Sequence, residues 1–150
     1  MNIPHVLQEN DYFCGPAIIA MTLGAFGRTI TQQEAAVLAQ TNEEVGTPIE
    51  GLVGALKGLG LSVDAAEKRT IDDLAAAVSE EKVCVVCYTE PVLEWGHYAI
   101  VEKIEKGAIT LIDPDSRTGT TSLVLEEFER RWKDPLFTKS ERWAAFVSAK

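Results

Sequence analysis

The spacing of apolar residues in this chain changes near residue 60, from the period of helices to the period of strands. Before that point, apolar residues recur at three- and four-residue intervals behind helix-start signals. After it, short apolar or alternating runs are separated by turn residues. Helices that come first and antiparallel strands that come later predict an α+β fold, because the two kinds of element then segregate into separate layers.

Helix-start signals place three helices in the first sixty residues. The first is predicted from Cys14 to Phe26, and Gly27 is its expected stop. Thr31-Gln-Gln-Glu34 matches a capping box and predicts a second helix from Gln32 to about Gln40. Thr47-Pro-Ile-Glu50 matches the same pattern, with proline suited to a first turn, so we expect a third helix there.

The second half of the chain carries the predicted strands. A continuous apolar run from Val83 to Tyr88 has the length of a buried central strand. The runs His97–Val101 and Ala108–Asp113 flank a turn at Lys106-Gly107 and predict a β-hairpin. The other predicted elements are a strand at Leu61–Ala65, a helix capped at Thr70, a helix at Leu125–Trp132 and a strand at Trp143–Val147.

Length and charge limit the class of protein. With 150 residues, 46% of them hydrophobic, we expect a single domain over residues 1–150. A net charge of −9 argues against nucleic acid or an anionic membrane as a partner. The sequence contains no signal peptide, no transmembrane segment and no disulfide framework, since its three cysteines cannot all pair. We therefore expect a soluble, cytoplasmic protein.

Cys14 stands at the predicted start of an apolar helix. Pro16 suits the first turn, and Asn10 or Asp11 is the expected capping side chain. The unpaired N–H groups and the positive dipole end of the helix would favour a thiolate at Cys14. The same residue would also fit a small buried hydrophobe, which is the usual state of a free cysteine. This stretch alone favours neither interpretation of Cys14 over the other.

Cys84 and Cys87 have the spacing of a redox or zinc pair. On a strand, residues three apart point to opposite faces, so these thiols cannot share a metal ion. The sequence offers no second pair and only two histidines. We interpret both cysteines as core residues and expect neither a metal site nor a cofactor.

His97 and Asp113 lie on the two strands of the predicted hairpin, which should bring them into the same neighbourhood. Each has an ordinary interpretation, as a packed histidine and as a strand terminator before Pro114. A reactive thiol, however, needs a base, and the base needs an orienting acceptor. His5, in the N-terminal stretch, is the poorer candidate for the base. Cys14, His97 and Asp113 together therefore indicate nucleophilic catalysis.

The order and spacing of these motifs resemble the bacteriocin-processing peptidases, which remove double-glycine leaders and are papain-like cysteine peptidases. The resemblance extends over roughly residues 3 to 148. The motifs that carry it are Gln8 with Asp11, Cys14-Gly-Pro-Ala17 with Met21, the segment from Gly46 through Leu61, Gly96-His-Tyr-Ala-Ile-Val101, Ile112-Asp-Pro114 and Glu126–Trp132.

The resemblance implies a papain-like fold, in which an N-terminal helical lobe packs on a C-terminal antiparallel β-sheet. It implies that Cys14 is the nucleophile, His97 the general base and acid, and Asp113 the residue that orients His97. It also implies that Gln8 is the oxyanion-hole donor. Cys14-Gly-Pro-Ala17 is more similar to free-standing members than to members fused to an export ATPase, so we expect a free-standing domain.

The predicted activity is hydrolysis of peptide bonds through a thioester acyl-enzyme, with peptides or proteins as substrates and leader peptides as the implied class. One alternative is another acyl transfer on the same residues, by an amidase, deamidase or transpeptidase. Another is a catalytically silent module that holds a peptide in its groove. A pure binding module would have no need of Gln8, Cys14, His97 and Asp113 together.

Overall fold

Six strands form one antiparallel sheet in the computed structural model, which describes residues 1–150. Their order across the sheet is β1-β6-β2-β3-β4-β5. The strands are β1 (Leu61–Ala66), β2 (Val83–Thr89), β3 (Gly96–Glu105), β4 (Ala108–Ile112), β5 (Thr120–Val124) and β6 (Ala144–Ala149). The α+β prediction is confirmed, because every neighbouring pair in the sheet is antiparallel.

Five helices cover the two faces of the sheet. The helices are α1 (Cys14–Ala25), α2 (Gln32–Leu38), α3 (Ile49–Gly58), α4 (Ile71–Ser79) and α5 (Leu125–Arg131). The first three pack on one face and enclose a core that includes Ile18, Leu52 and Ile100. The other two cover the opposite face, where Leu74, Phe128 and Ala99 are buried. The N-terminal helical lobe therefore packs on one side of the C-terminal sheet, as predicted.

Two of the predicted helix caps are confirmed and two are wrong. Thr31 and Thr70 each form a complete capping box, with Glu34 and Asp73 respectively. Thr47 forms none, since α3 begins one residue later than predicted, with Pro48 as its N-cap.

The cap of α1 also differs from prediction. The N-cap position of α1 is Phe13, without a side-chain cap. The Asn10 side chain accepts a hydrogen bond from the Tyr12 N–H (3.1 Å) and so shapes the loop before the helix. Asp11 is exposed and caps nothing. A polar turn that precedes a helix can thus be satisfied within itself.

Strand β2 is internal to the sheet, and six of its seven residues are buried. Cys84 lies in the core beneath α4 and α5, whereas Cys87 lies in the core beneath α1 to α3. The predicted placement of these cysteines on opposite faces is confirmed. Burial raises the pKa of both thiols well above the ordinary value, and the Asp134 carboxylate adds to this effect at Cys87. Both thiols are therefore held protonated.

Strand β5 was not predicted from the sequence. It is the edge strand of the sheet, and its residues alternate between exposed and half-buried. Thr120, Thr121 and Ser122 give it no apolar run, so its composition is that of a polar loop. Pairing with β4 through residues such as Leu123 makes it a strand.

The β3–β4 hairpin positions two of the predicted site residues. Lys106 and Gly107 both have positive φ, 54° and 75°, as a two-residue hairpin turn requires. Ile100 pairs with Ile112, so extension of this register places Asp113 opposite Ala99. His97 is then the diagonal neighbour of Asp113 on the same face of the hairpin, within reach of its side chain. No helix in the structure is long and apolar enough to cross a membrane.

Candidate active site

The N-terminal end of α1 presents Cys14, a half-buried thiol and the first residue of the helix. Gly15 lets the helix approach the 42–47 loop closely, because a Cβ there would collide with the Thr47 side chain. The Thr47 carbonyl also accepts a hydrogen bond from the Tyr98 hydroxyl at 2.8 Å. The start of α1, the 42–47 loop and the start of β3 are thereby fixed together.

His97 and Asp113 form a buried hydrogen-bonded pair, with Nε2 and Oδ1 2.7 Å apart. The same Oδ1 accepts the Asp115 N–H at 2.9 Å, and Oδ2 accepts the Thr121 hydroxyl at 2.7 Å. Burial by itself would raise the pKa of Asp113, but the hydrogen bonds from His97 and Thr121 outweigh it and lower that pKa. The carboxylate is therefore held ionised and fixed in orientation.

His97 and Cys14 line the same cleft, and the sulfur lies close enough to affect the pKa of the imidazole. Since Nε2 is taken by Asp113, Nδ1 is the nitrogen left for the sulfur. Burial would lower the pKa of His97, but its interactions with the Asp113 carboxylate and with the neighbouring Cys14 sulfur raise it to about 10. At neutral pH the imidazole is therefore protonated. The structure brings together Cys14, His97 and Asp113, which are separated by up to 99 positions in the sequence.

The N-terminal segment is fastened to the loop that carries Asp113. The ring of His5 shares a 2.7 Å hydrogen bond with the backbone carbonyl of Asp113 through Nε2. The Gln8 N–H donates to the Pro114 carbonyl, also at 2.7 Å. His5 is thus not a rival base for Cys14 but a contact of the Asp113 backbone. A lone histidine outside any periodic segment carries no sequence signal for such a role.

Gln8 lies next to the site but outside the lining of its cleft. Its Nε2 donates to the Asn10 carbonyl at 2.7 Å, and its Oε1 is buried without a hydrogen-bond partner. In this arrangement the amide N–H is directed at the loop before α1. The role of Gln8 in an oxyanion hole stays a prediction.

Cys14 and His97 open into a cleft of about 590 Å³. One wall consists of residues 43–47, which belong to the 42–47 loop. The other consists of residues 94–96 and 134–137. Asp134 lies in this second wall against Gly96, where a Cβ would collide with its carboxylate. Asp134 was not among the site residues predicted from the sequence. No cluster of histidine, cysteine, aspartate and glutamate in the structure has the arrangement of a metal site.

A second cavity, of about 240 Å³, is also lined by His97, together with Asp113. Its wall includes the buried Tyr88, whose hydroxyl has no hydrogen-bond partner and whose ring lies 6.0 Å from that of His97. Burial, with the carboxylates of Asp113 and Glu90 nearby, raises the pKa of Tyr88. The hydroxyl is therefore neutral, and the tyrosine ring packs behind the histidine.

Comparison with known proteins places this architecture in a family. The model of the peptidase C39 family matches residues 2–142. The chain belongs to the peptidase C39 family. Two uncharacterised relatives come from Methanothermobacter. The protein from M. thermautotrophicus is 32% identical and the one from M. marburgensis 33%, each over 109 residues, which is 73% of this chain and 70% of the relative.

Solved structures share the C39 fold at low identity. The peptidase domain of Streptococcus ComA, a bifunctional ABC transporter, superposes with a TM-score of 0.78 at 22% identity, covering 99% of this chain and 100% of that one. A double-glycine motif protease from an AMS/PCAT transporter, solved with its leader peptide, gives 0.73 at 16% identity, covering 99% and 93%. A C39-like peptidase from Bacillus anthracis gives 0.75 at 16%, covering 99% and 96%.

These comparisons confirm the predicted papain-like fold and the predicted family. The family and the fold of this C39 member are those of cysteine peptidases.

Proposed function

We propose that this single domain is a cysteine peptidase that hydrolyses peptide bonds with Cys14, His97 and Asp113. The observation that carries the proposal is the buried hydrogen bond between Asp113 and His97, together with the presence of His97 and Cys14 in the lining of one cleft. A nucleophile, a base and a group that orients the base are the three parts that such catalysis requires.

The proposed reaction follows from the protonated state of His97. The Cys14 sulfur attacks the carbonyl carbon of the scissile bond, and the protonated His97 gives its proton to the departing amine. A thioester between Cys14 and the acyl part of the substrate remains. His97, now neutral, takes a proton from water, which attacks the thioester carbon. The C–S bond breaks, the acid leaves, and the Cys14 thiolate and protonated His97 are restored. Asp113 holds the ring and stabilises its charged form at each stage.

Gln8 is our candidate for the side-chain donor of the oxyanion hole, with the free N–H of Cys14 as the backbone donor. The first N–H groups of a helix have no partner within the helix, which leaves the Cys14 N–H available. For the Gln8 amide to donate to the oxyanion, its Nε2 would exchange the Asn10 carbonyl for the substrate oxygen. That hydrogen bond is exposed and therefore weak, so the exchange costs little.

The proposed substrates are peptides, with leader peptides as the class suggested by a structural neighbour. One structural neighbour is a double-glycine motif protease in complex with a leader peptide. The Cys14 thiol and His97 of this chain both line the cleft, so a peptide bound there would lie beside them.

The test is mass spectrometry of synthetic peptides with a central Gly-Gly pair, incubated with the protein and with its Cys14→Ala variant. Cleaved products that form only with the wild-type protein support the peptidase. A mass change without cleavage would show another acyl transfer instead. Peptide that stays bound and unchanged would show a silent binding module.

Labelling with iodoacetamide tests the nucleophile separately. We expect the folded protein to react at Cys14 and to leave Cys84 and Cys87 unmodified, because those two are 0% and 1% exposed and held protonated. The matched control is Cys14→Ala, which should take up no label until it is denatured. Equal labelling of all three thiols in the folded protein would refute the assignment of Cys14.

A further inference from the structure

The cleft beside Cys14 is strongly acidic. Its lining contains no lysine or arginine. Five carboxylate side chains line it, from Asp11, Glu43, Glu44, Glu94 and Asp134. They lie on both walls, so a peptide in the cleft would be flanked by negative charge.

Four of these five charges have no cationic partner in the protein. Glu94 is paired with the Arg131 guanidinium, whose Nη1 lies 3.0 Å from both of its oxygens. The structure contains no ion pair to any of the other four. Apart from the protonated His97 in the same lining, their field is therefore compensated only by solvent or by a charge that the ligand brings.

Asp134 is the most enclosed of the four unpaired carboxylates, since it is half-buried and the other three are exposed. Its Oδ1 accepts the Leu136 N–H at 2.7 Å, and its Oδ2 accepts the Cys87 thiol at 3.8 Å. Both donors are neutral, so the charge itself is not balanced. The carboxylate lies against Gly96, the residue before His97. A cation bound here would lie beside the backbone that carries His97.

The same cleft exposes large apolar side chains. Val45 is 43% exposed, Trp95 52% and Leu136 73%, and all three line it. Val45 belongs to one wall, and Trp95 and Leu136 to the other. Grouped apolar side chains at one opening are typical of a binding surface, since most exposed apolar residues lie singly.

We propose that the cleft selects cationic peptide segments, in which lysine or arginine side chains stand beside apolar ones near the scissile bond. The apolar parts would cover Val45, Trp95 and Leu136, while the basic parts would meet Asp134 and the Glu43-Glu44 pair. This selectivity rests on the proposed function, because it assumes that the cleft is where the substrate lies. Charge complementarity supplies specificity and faster association more than total affinity.

The experiment measures binding, so that it does not depend on turnover. Three fluorescein-labelled mixtures of dodecapeptides share a central Gly-Gly pair and leucine at two positions, and are randomised over uncharged residues elsewhere. They differ only in the two residues that flank the pair, which are Lys, Gln or Glu. Fluorescence anisotropy with the Cys14→Ala protein gives the Kd of each mixture without cleavage.

We expect the Lys mixture to bind about tenfold more tightly than the Gln mixture, and the Glu mixture to bind most weakly. The difference should fall below about twofold at about 1 M NaCl, where the Debye length is about 3 Å. Adding Glu43→Gln and Glu44→Gln should reduce the preference for Lys by about threefold. The control pair, Glu102→Gln with Glu126→Gln, removes two exposed carboxylates outside the cleft and should keep the full preference.

Equal Kd values for the Lys and Glu mixtures would overturn the proposal, and so would no binding of either. A preference that survives high salt, or that the control pair reduces as much as the Glu43 and Glu44 changes, would overturn it as well. Failure of the proposed peptidase would be seen separately, as binding of the Lys mixture without any cleavage by the wild-type protein.

Discussion

His97 is the residue on which the site depends, because it is hydrogen-bonded to Asp113 and shares the lining of the cleft with Cys14. Asp113 is itself fixed by Thr121, by the Asp115 backbone and, at its carbonyl, by His5. The orientation of the imidazole is thus set by groups that touch no substrate. Such supporting contacts keep reacting groups in a productive geometry.

Asp113→Asn should slow turnover by at least about tenfold, because an amide cannot stabilise the charged imidazole. The loss should stay below the roughly 10⁴-fold that a serine triad suffers, since papain-like enzymes can use asparagine at this position. The measurement is kcat with a cleaved peptide, alongside Tm. Asp115→Asn is the matched control, because only the backbone N–H of Asp115 contacts Asp113. Full activity in Asp113→Asn would reduce Asp113 to a strand terminator.

Gln8→Ala should lower kcat by about 10²- to 10³-fold while KM and Tm stay nearly unchanged, because an oxyanion-hole donor acts only in the transition state. Gln8→Glu should be no better, since a carboxylate offers no N–H and repels the oxyanion. Gln33→Ala, an exposed glutamine on α2, is the control and should retain activity. If Gln8→Ala instead lowers Tm and leaves kcat unchanged, the residue has a structural role.

Among the elements, the helices on the two faces of the sheet serve different purposes. Helix α1 supplies Cys14, whereas α4 only covers the opposite face. The N-terminus of α4 is held by the Thr70–Asp73 capping box, in which the Thr70 hydroxyl accepts the Asp73 N–H at 3.1 Å. A change at the N-terminus of α4 should therefore alter the stability of the protein and leave its catalytic activity unchanged.

Thr70→Ala should lower the free energy of unfolding by about 1 kcal/mol, because an N-cap acceptor is lost. For a chain of this length that corresponds to a fall in Tm of about 2–4 °C. Urea denaturation and a peptide-cleavage assay on the same sample would check both quantities, and kcat should not change. Ser79→Ala, at the exposed end of α4, is the control and should stay within about 0.5 kcal/mol of the wild type. An equal loss in both variants would contradict a capping role.

For the whole molecule, the His97–Asp113 pair makes stability depend on pH. The pKa of His97 is raised from 6.5 to about 10, so its contribution is fully present below pH 6.5 and is lost as the pH rises through about 10. The pKa of Asp113 is lowered from 3.8, so its contribution is present above pH 3.8 and is lost as the pH falls through the lowered value. The pair therefore stabilises the fold most between these two ordinary values.

We expect Asp113→Asn to reduce the free energy of unfolding most between pH 3.8 and 6.5, with a smaller reduction on either side of that range. Urea denaturation of both proteins across the pH range is the measurement. Asp115→Asn should follow the wild-type profile. A difference between wild type and Asp113→Asn that does not vary with pH would show that the pair does not titrate as described.

Where interactions are local, the sequence by itself determined the structure. The capping boxes at Thr31 and Thr70, the stop of α1 near Gly27 and the Lys106-Gly107 hairpin each depend on residues within a few positions of one another. The hairpin brings Asp113 to His97, so that part of the candidate site could also be predicted from the sequence. Cys14 could be predicted as the start of a helix because proline and an apolar run follow it.

Long-range contacts decided the rest. Thr47 matches a capping box, but its hydroxyl pairs with Thr41 and its carbonyl with Tyr98, so it does not cap α3. Strand β5 exists because β4 offers it an unpaired edge. His5 meets the Asp113 backbone from 108 positions away, and Asp134 meets Cys87 from 47. Such pairs have no local signature, because the free energy of each contact arises only when the fold has brought both partners together.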